Sequence, residues 1–261
     1  MAISRRMALG AAAAVSAGAP SIAQTMPRKT FVLVHGSYHG GWCWRRVADI
    51  LEGRGHEVYA QSLTGLGDRS HLLSKGVDLE THIADIANLV MWEDLKDICL
   101  VAHSYAGFPA TGALEHIHNR VGSIVWLDAF IPKNGQKQID YASAFGRESM
   151  LKALAKGEFS IKPPPAKAFS VSEKDYAWLD SKMTPHPIGT AMQAIRLTGK
   201  IQTIARKTFI RVPHYVQPSF DKALAECQAD KSWQTIVNQT SGHDVMVDQP
   251  EWLADVLIKS A

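Results

Sequence analysis

Short apolar runs alternate with amphipathic segments along the chain, and this alternation predicts a parallel sheet covered by helices. Six runs are predicted as strands: Phe31–Val34, Val58–Leu63, Ile98–Val101, Ser123–Leu127, Lys207–Val212 and Trp233–Asn238. Helical segments are predicted at Trp42–Leu51, Leu79–Trp92, a run ending near Ile117, Ser219–Cys227 and Pro250–Ile258. Strands and helices in this order are joined by right-handed crossovers, so we expect an α/β fold with a mostly parallel central sheet.

The pattern changes between the fourth and fifth of these strands. Residues 133–206 contain no strong strand, several short helical pieces and the breaking sequence Pro163-Pro164-Pro165. A stretch of this length without a sheet strand is too long for an ordinary connection in a compact domain. We therefore predict a helical cap over residues 133–204, inserted in a core formed by residues 29–132 and 205–261.

The first 25 residues have the composition of an export signal. Arg5 and Arg6 precede an alanine-rich apolar stretch, Met7–Ala19, and small residues occupy the positions before a cleavage site after Ala23. The stretch is too short and too weakly apolar to span a membrane. Its arginine pair resembles a twin-arginine signal, while the Sec route stays open. We expect a periplasmic or secreted mature protein.

Composition narrows the class of protein. The chain has 261 residues, of which 46% are hydrophobic and 20% are charged, as in a globular domain with a full core. The net charge of +3 comes without a basic cluster beyond two arginine pairs, which argues against nucleic acid as a partner. The three cysteines have neither metal-ligand nor CxxC spacing, so we expect no metal site and no disulfide framework.

A serine lies between small residues directly after the Ile98–Val101 strand, in Ala102-His103-Ser104-Tyr105-Ala106-Gly107. A serine at a sharp strand-to-helix turn is the nucleophile elbow, whose strained backbone leaves no room for large neighbours. Alanine replaces the usual glycine at positions 102 and 106. The alternative is a buried strand followed by a serine N-cap.

A serine nucleophile needs a base and an acid. His243 is the candidate base because it follows the last strand, at the sheet edge where Ser104 is expected. The loop after Lys207–Val212 contains no carboxylate. Two acids remain, Asp128 at the end of the strand after the elbow and Asp221, and we favour Asp128. The side chain of Asp244 is expected to point away from the base and to cap a turn.

The glycine-rich loop after the first strand is expected to supply a backbone N–H group to the candidate site. Its sequence, His35-Gly36-Ser37-Tyr38-His39-Gly40-Gly41, lacks the spacing of phosphate-binding loops, so we exclude nucleotide binding. In this position a loop can supply a backbone N–H to an oxyanion hole, and glycines let the backbone approach the substrate. We predict the backbone N–H groups of Ser37 and Tyr105 as the two oxyanion donors.

The motifs FVLVHGSYHGGWCW, AHSYAG, WLDAFIP, TPHPIGT and GHDVMV together resemble the α/β-hydrolase esterases of the plant methylesterase and hydroxynitrile-lyase group, in its bacterial branch. The resemblance extends from Phe31 to Ile258. It implies the α/β-hydrolase fold with a helical cap, ester hydrolysis through a serine triad, and no cofactor. Its serine, base and oxyanion donors match Ser104, His243, Ser37 and Tyr105. It also suggests that His39 and Trp42 contact substrate. The acid of the plant enzymes matches the region of His214 and Tyr215, where this chain has no carboxylate.

These observations predict a serine carboxylesterase that cleaves a small, mostly apolar ester or lactone through an acyl-enzyme. The alternative is a ligand-binding or receptor-like protein on the same fold with little turnover. A hydroxynitrile lyase is the weaker alternative, because those relatives carry threonine at the position of Gly36 and lysine at that of Asp244. We expect a small-molecule ester as partner, no nucleic acid and no membrane span, and leave a homodimer open.

Overall fold

The computed structural model describes residues 27–261, apart from the side chain of Phe145, so the predicted export signal lies outside the described residues. The strands are β1 (Thr30–Val34), β2 (Glu57–Tyr59), β3 (Ile98–His103), β4 (Val121–Leu127), β5 (Ser160–Ile161), β6 (His186–Pro187), β7 (Arg206–Arg211) and β8 (Trp233–Val237). The helices are α1 (Arg45–Gly53), α2 (Leu79–Trp92), α3 (Gly107–Ile117), α4 (Ala144–Ala155), α5 (Tyr176–Lys182), α6 (Gly189–Met192), α7 (Pro218–Ala229), α8 (Val245–Asp248) and α9 (Pro250–Ser260).

Six strands form one sheet in the order β2-β1-β3-β4-β7-β8, and every neighbouring pair is parallel. The predicted α/β class and parallel sheet are therefore confirmed. Because all six strands run the same way, their carboxyl ends meet at one edge of the sheet, which is where open α/β sheets place their sites.

The central strand β3 is buried along its whole length. Its side chains alternate between two cores: Ile98 and Leu100 pack on one face, and Cys99 and Val101 pack on the other. Both faces are covered, which is why the sequence of this strand is a continuous apolar run without polar alternation. Among the described helices, none has the length and apolarity that crossing a membrane requires.

The second strand is shorter than the predicted Val58–Leu63, because it ends at Tyr59. Beyond it the backbone bonds to side chains instead of to a neighbouring strand. The N–H of Leu63 donates to His35 Nε2 at 3.0 Å, and the N–H of Thr64 donates to a carboxylate oxygen of Asp85 at 2.6 Å. The apolar residues of this stretch therefore belong to a turn that packs on the core.

The segment between β4 and β7 contains the helices α4, α5 and α6 and several short 3₁₀ turns. It also contains a feature that the sequence pattern did not indicate, a two-residue antiparallel ladder between β5 and β6. Four residues of this segment lie at the carboxyl edge of the main sheet and line a cavity there: Gln138, Tyr141, Ala142 and Phe169.

The start of α3 is packed so tightly that a methyl group should disturb it. A Cβ on Gly107 would lie 1.9 Å from the carbonyl oxygen of Phe130. We expect Gly107→Ala to lower the free energy of unfolding by about 1–3 kcal/mol, as overpacked core substitutions do. Gly53→Ala is the matched control, since no atom lies within 4 Å of its added Cβ, and we expect it to be neutral or slightly stabilising. Urea midpoints measure both, and equal midpoints for the two variants would contradict the tight packing.

Candidate active site

Ser104 lies in a strained turn between β3 and α3. Its φ of 55° is in the left-handed region, which few non-glycine residues adopt. Its carbonyl accepts a hydrogen bond from the N–H of Phe130 at 3.2 Å, which ties the turn to the chain after β4. The flanking Ala102 and Ala106 are fully buried, as expected for the small residues beside an elbow.

Asp128 lies one residue beyond β4 and contacts His243. Its Oδ2 is 2.7 Å from His243 Nδ1, and both side chains are almost completely excluded from solvent. The backbone of Asp128 also has a left-handed φ, 44°, and its N–H donates to Ile210 of β7. The backbone of Asp128 thus still hydrogen-bonds to β7, while its carboxylate faces His243.

The other oxygen of Asp128 is bonded as well. Oδ1 accepts from the backbone N–H of Val212 at 3.0 Å and from Nη1 of Arg211 at 2.7 Å. Arg211 is buried, and its Nε donates to Asp221 at 2.8 Å. Burial alone would lower the pKa of Arg211, but its bond to Asp221 and the charge of Asp128 raise it, so the guanidinium remains a cation.

The structure brings one of the two candidate acids to the histidine. Asp128 contacts His243, whereas Asp221 bonds to Arg211 and has a side chain that is 59% exposed. The carboxylate that bonds to His243 therefore comes from the end of β4, the strand that neighbours β7. The strand β7 itself ends in Arg211, which holds both acids.

Ser104 and His243 line the same cavity, which has a volume of about 150 Å³. Its walls combine polar residues with six aromatic side chains: Tyr38, Phe130, Tyr141, Phe169, Tyr215 and Phe220. The ring of Tyr215 stacks on that of His243, with centroids 4.0 Å apart. Burial raises the pKa of Tyr215 to about 12, so its hydroxyl stays neutral beside the histidine.

The loop that contains Ser37 is held by His35. The N–H of Leu63 donates to His35 Nε2, so that nitrogen carries no proton. His35 Nδ1 therefore donates to the carbonyl oxygen of Gly36 at 2.9 Å. Burial lowers the pKa of His35 to about 3, which keeps the ring neutral, and its two hydrogen bonds set the tautomer. The Gly36–Ser37 peptide, which bears the N–H of Ser37, is thereby fixed in orientation.

Tyr105 follows Ser104, and its backbone N–H belongs to the first turn before α3. Its side chain is anchored on α2, because its hydroxyl lies 2.9 Å from His82 Nδ1. His82 Nε2 lies 2.8 Å from the carbonyl of Thr64 and must donate there, so Nδ1 accepts from the tyrosine. The residue with the predicted second oxyanion N–H is thus fixed at both its backbone and its side chain.

His39 and Trp42, which the resemblance places at the substrate, occupy different surroundings. His39 lines the cavity but is only 1% exposed. Trp42 stacks on His39 with centroids 5.4 Å apart, packs against Trp178, and lies outside the set of residues that line the cavity. It borders a separate cleft of about 640 Å³ instead.

The expectation that the Asp244 side chain caps a turn is wrong. Asp244 precedes α8, yet its carboxylate makes no hydrogen bond to that helix. It is fully buried, and its Oδ2 lies 3.1 Å from Nε2 of His39. Burial opposes its charge, but the nearby His39, His103 and His243 hold the pKa of the carboxyl well below its usual range.

Two contacts at the site were not anticipated from the sequence. Arg211 joins Asp128 to Asp221, and His39 pairs with Asp244. The available signal was a charged residue within an otherwise buried strand, Arg211, since burial of an arginine requires acidic partners. Nothing in the local pattern links His39 to Asp244, because 205 residues separate them.

Known proteins share sequence similarity with most of this chain. The alpha/beta hydrolase family matches residues 31–256. A carbendazim-hydrolyzing esterase from Nocardioides sp. (strain SG-4G) is 34% identical over 236 residues, which cover 87% of this chain and 97% of that protein. Methylesterase 1 of Arabidopsis thaliana is 29% identical over 143 residues, 51% of each chain.

Among solved structures, an extracellular alpha/beta-hydrolase from a Paenibacillus species has a similar fold. The TM-score is 0.76 at 22% identity, and the match covers 89% of this chain and 99% of that one. The sheet order, the strained serine after β3 and the family match over most of the chain point to one assignment. The chain belongs to the alpha/beta hydrolase family.

Proposed function

We propose that this protein is a serine carboxylesterase in which Ser104 is the nucleophile, His243 the general base and Asp128 the acid. The observation that carries the proposal is the bond between Asp128 Oδ2 and His243 Nδ1 in the cavity that Ser104 also lines. A carboxylate bonded to Nδ1 fixes the tautomer in which Nε2 is free to accept a proton. The strained backbone of Ser104 adds independent support, because elbows of this kind present a nucleophile.

In the acylation step, Ser104 Oγ attacks the ester carbonyl carbon and transfers its proton to His243 Nε2. The carbonyl π electrons move onto the oxygen and form a tetrahedral oxyanion. When this intermediate collapses, the ester C–O bond breaks and His243 returns the proton to the leaving alcohol. The acyl group stays on Ser104.

In the deacylation step a water molecule takes the place of the alcohol. His243 removes a proton from the water as it attacks the acyl carbon, and a second tetrahedral oxyanion forms. Its collapse breaks the bond to Ser104 Oγ, which regains a proton from His243. The products are a carboxylic acid and free enzyme, so the cycle consumes one ester and one water.

Both oxyanions are proposed to be bound by the backbone N–H groups of Ser37 and Tyr105. His35 supports the first donor, because its bond to the Gly36 carbonyl fixes and polarises the peptide that bears the Ser37 N–H. The position of Tyr105 at the start of the turn before α3 supports the second. Preorganised donors of this type are each worth about 10²–10³ in rate.

The size of the cavity supports a small substrate. Its volume of about 150 Å³ is below the roughly 300–1,000 Å³ of typical small-molecule sites. Its walls combine aromatic side chains with polar ones, among them Ser37, Gln138 and Gln217. We therefore propose a short ester or lactone, and we expect short acyl chains to react faster than long ones.

The relatives support the same class of reaction. One is named a carbendazim-hydrolyzing esterase and another a methylesterase. With these relatives and the family's fold, the chain is a carboxylic ester hydrolase. The case for a binding protein without turnover rests on the lack of a carboxylate after β7, and the contact between Asp128 and His243 supports the esterase proposal against it.

The first test compares the wild type with three variants on p-nitrophenyl acetate, butyrate and octanoate. We expect Ser104→Ala to abolish turnover and Asp128→Asn to lower kcat by about 10³–10⁴-fold, the scale for losing a triad acid. Asp221→Asn is the matched control and should stay within about threefold, since its carboxylate bonds to Arg211. Initial rates give kcat and KM for each.

Each alternative result has a definite meaning. A collapse in Asp221→Asn with an active Asp128→Asn would reject the assignment of the acid. A wild type no faster than Ser104→Ala on every ester would reject esterase activity and favour a binding protein. Faster turnover of octanoate than of acetate would reject the small substrate.

The approach of the oxyanion loop to the nucleophile provides a second test. A Cβ on Gly36 would lie 2.9 Å from Ser104 Cβ and 3.0 Å from His103 Nδ1. We expect Gly36→Ala to displace the serine or the loop and to lower kcat by about 10²-fold, as misplacement near 1 Å can do. Gly76→Ala is the control, because the nearest atom to its Cβ is 3.8 Å away. An unchanged kcat in Gly36→Ala would contradict the close approach in solution.

We also propose that residues 1–25 direct export to the periplasm or beyond. The support is the arginine pair, the apolar stretch after it and the small residues up to Ala23. Fractionation of cells that express the full chain with a carboxyl-terminal tag should recover a protein whose first residue is Gln24. Replacing Arg5 and Arg6 with lysine separates the routes, since only twin-arginine export should fail. Recovery of the full chain from the cytoplasm alone would reject export.

A further inference from the structure

A second buried carboxylate–histidine pair lies beside the candidate active site. Nε2 of His39 is 3.1 Å from Oδ2 of Asp244, and the two side chains are 1% and 0% exposed. His39 also lines the cavity that contains Ser104. The proposed reaction makes no use of this pair, yet burial of a charged pair is costly unless its geometry is well satisfied.

The contacts of His39 determine its protonation. Nδ1 lies 2.7 Å from the backbone carbonyl oxygen of Ser37, and Nε2 faces the carboxylate of Asp244. Both of these partners can only accept a hydrogen bond, whereas a neutral imidazole has a single N–H to donate. Both contacts are hydrogen bonds only when His39 is an imidazolium.

The charges around the pair agree with this assignment. Burial acts to lower the pKa of His39, but the charge of Asp244 and the bonds to Asp244 and Ser37 outweigh it and raise the pKa above its ordinary value. The direction of both pKa changes therefore favours the same charged pair that the two contacts of His39 require.

The pair lies where three loops of the candidate site meet. His39 belongs to the loop with Ser37, and Asp244 is adjacent to His243 in sequence. The elbow is connected as well, because His103 precedes Ser104 and its Nε2 lies 3.1 Å from the carbonyl oxygen of His243. The same nitrogen of His103 is 3.8 Å from Asp244.

We infer that the imidazolium of His39 and the carboxylate of Asp244 form a protonation-dependent lock that holds the oxyanion loop against the loop of the catalytic base. The inference rests on the proposed esterase function. Both are positioning residues: His39 acts through the Ser37 carbonyl, and Asp244 acts through His39 and the backbone of His243.

The lock has a definite direction of pH dependence. A histidine with a raised pKa stabilises the closed arrangement below that pKa, and the stabilisation is lost as pH rises through it. Without the charge of Asp244, burial dominates and the pKa of His39 should fall below its ordinary value. The other titratable groups around the pair are His35, His103, His243, Cys43 and Tyr215.

The protonation state can be measured without turnover. Asp244→Asn keeps the shape of the side chain and an oxygen that can accept from Nε2, but removes the charge. In ¹⁵N-histidine NMR we expect both ring nitrogens of His39 to be protonated at pH 7 in the wild type and only one in Asp244→Asn. His39→Gln assigns the resonances. A singly protonated His39 in the wild type at pH 7 would overturn the inference.

Kinetics on p-nitrophenyl acetate tests the positioning role. We expect Asp244→Asn to lower kcat at pH 7 by about 10–100-fold with KM within about threefold, because misplaced groups slow the chemical step more than binding. Above the His39 pKa that NMR gives, His39 of the wild type is neutral too, as it is in the variant. The ratio of wild-type to variant kcat should therefore fall toward one.

The matched control is Asp175→Asn, which removes the charge of another buried carboxylate, that of Asp175, whose ion pair with the partly exposed Arg46 is 2.7 Å long. We expect it to lower stability while kcat and its pH profile stay within about twofold. Equal pH profiles for Asp244→Asn and Asp175→Asn would overturn the lock and leave the esterase proposal standing. A ratio of wild-type to Asp244→Asn kcat that stays constant across the His39 pKa would do the same. A wild type without Ser104-dependent turnover would instead overturn the proposed function, and the positioning role with it.

Discussion

The arrangement of the candidate site depends on the hydrogen bonds of the Asp128 carboxylate. One oxygen bonds to His243, and the other accepts from Arg211 and from the backbone N–H of Val212. The parallel sheet makes this possible, because β4 and β7 are neighbours and end at the same edge. A carboxylate at the end of β4 can therefore replace one expected after β7, without any change in the sheet or in the position of the histidine.

The sequence predicted the elements whose signals are local. The continuous apolar run of β3, the small residues around Ser104 and the position of His243 after the last strand each depend on neighbours within a few residues. The sequence also indicated Asp128 as an acid, since the usual loop lacked a carboxylate. Its bond to His243 joins residues 115 apart, and only the order of the strands brings them together.

What the sequence did not predict is the use of buried polar side chains. Asp244 was expected to cap a turn, which is a local role, but its partner His39 lies 205 residues away. The second strand was predicted too long because its apolar residues continue after Tyr59, while His35 and Asp85 take the backbone N–H groups there. In each case a side chain from elsewhere competes successfully with local propensity, which a local pattern does not contain.

The two buried carboxylates beside the candidate base are compensated in different ways. Asp128 bonds to the guanidinium of Arg211, which is equally buried and also reaches the largely exposed Asp221. Asp244 faces the imidazole of His39 instead. Removing either basic partner would leave a buried carboxylate without a balancing charge, which is costly. Because an arginine keeps its proton at any ordinary pH and a histidine can lose it, only the second of these two pairs can respond to pH.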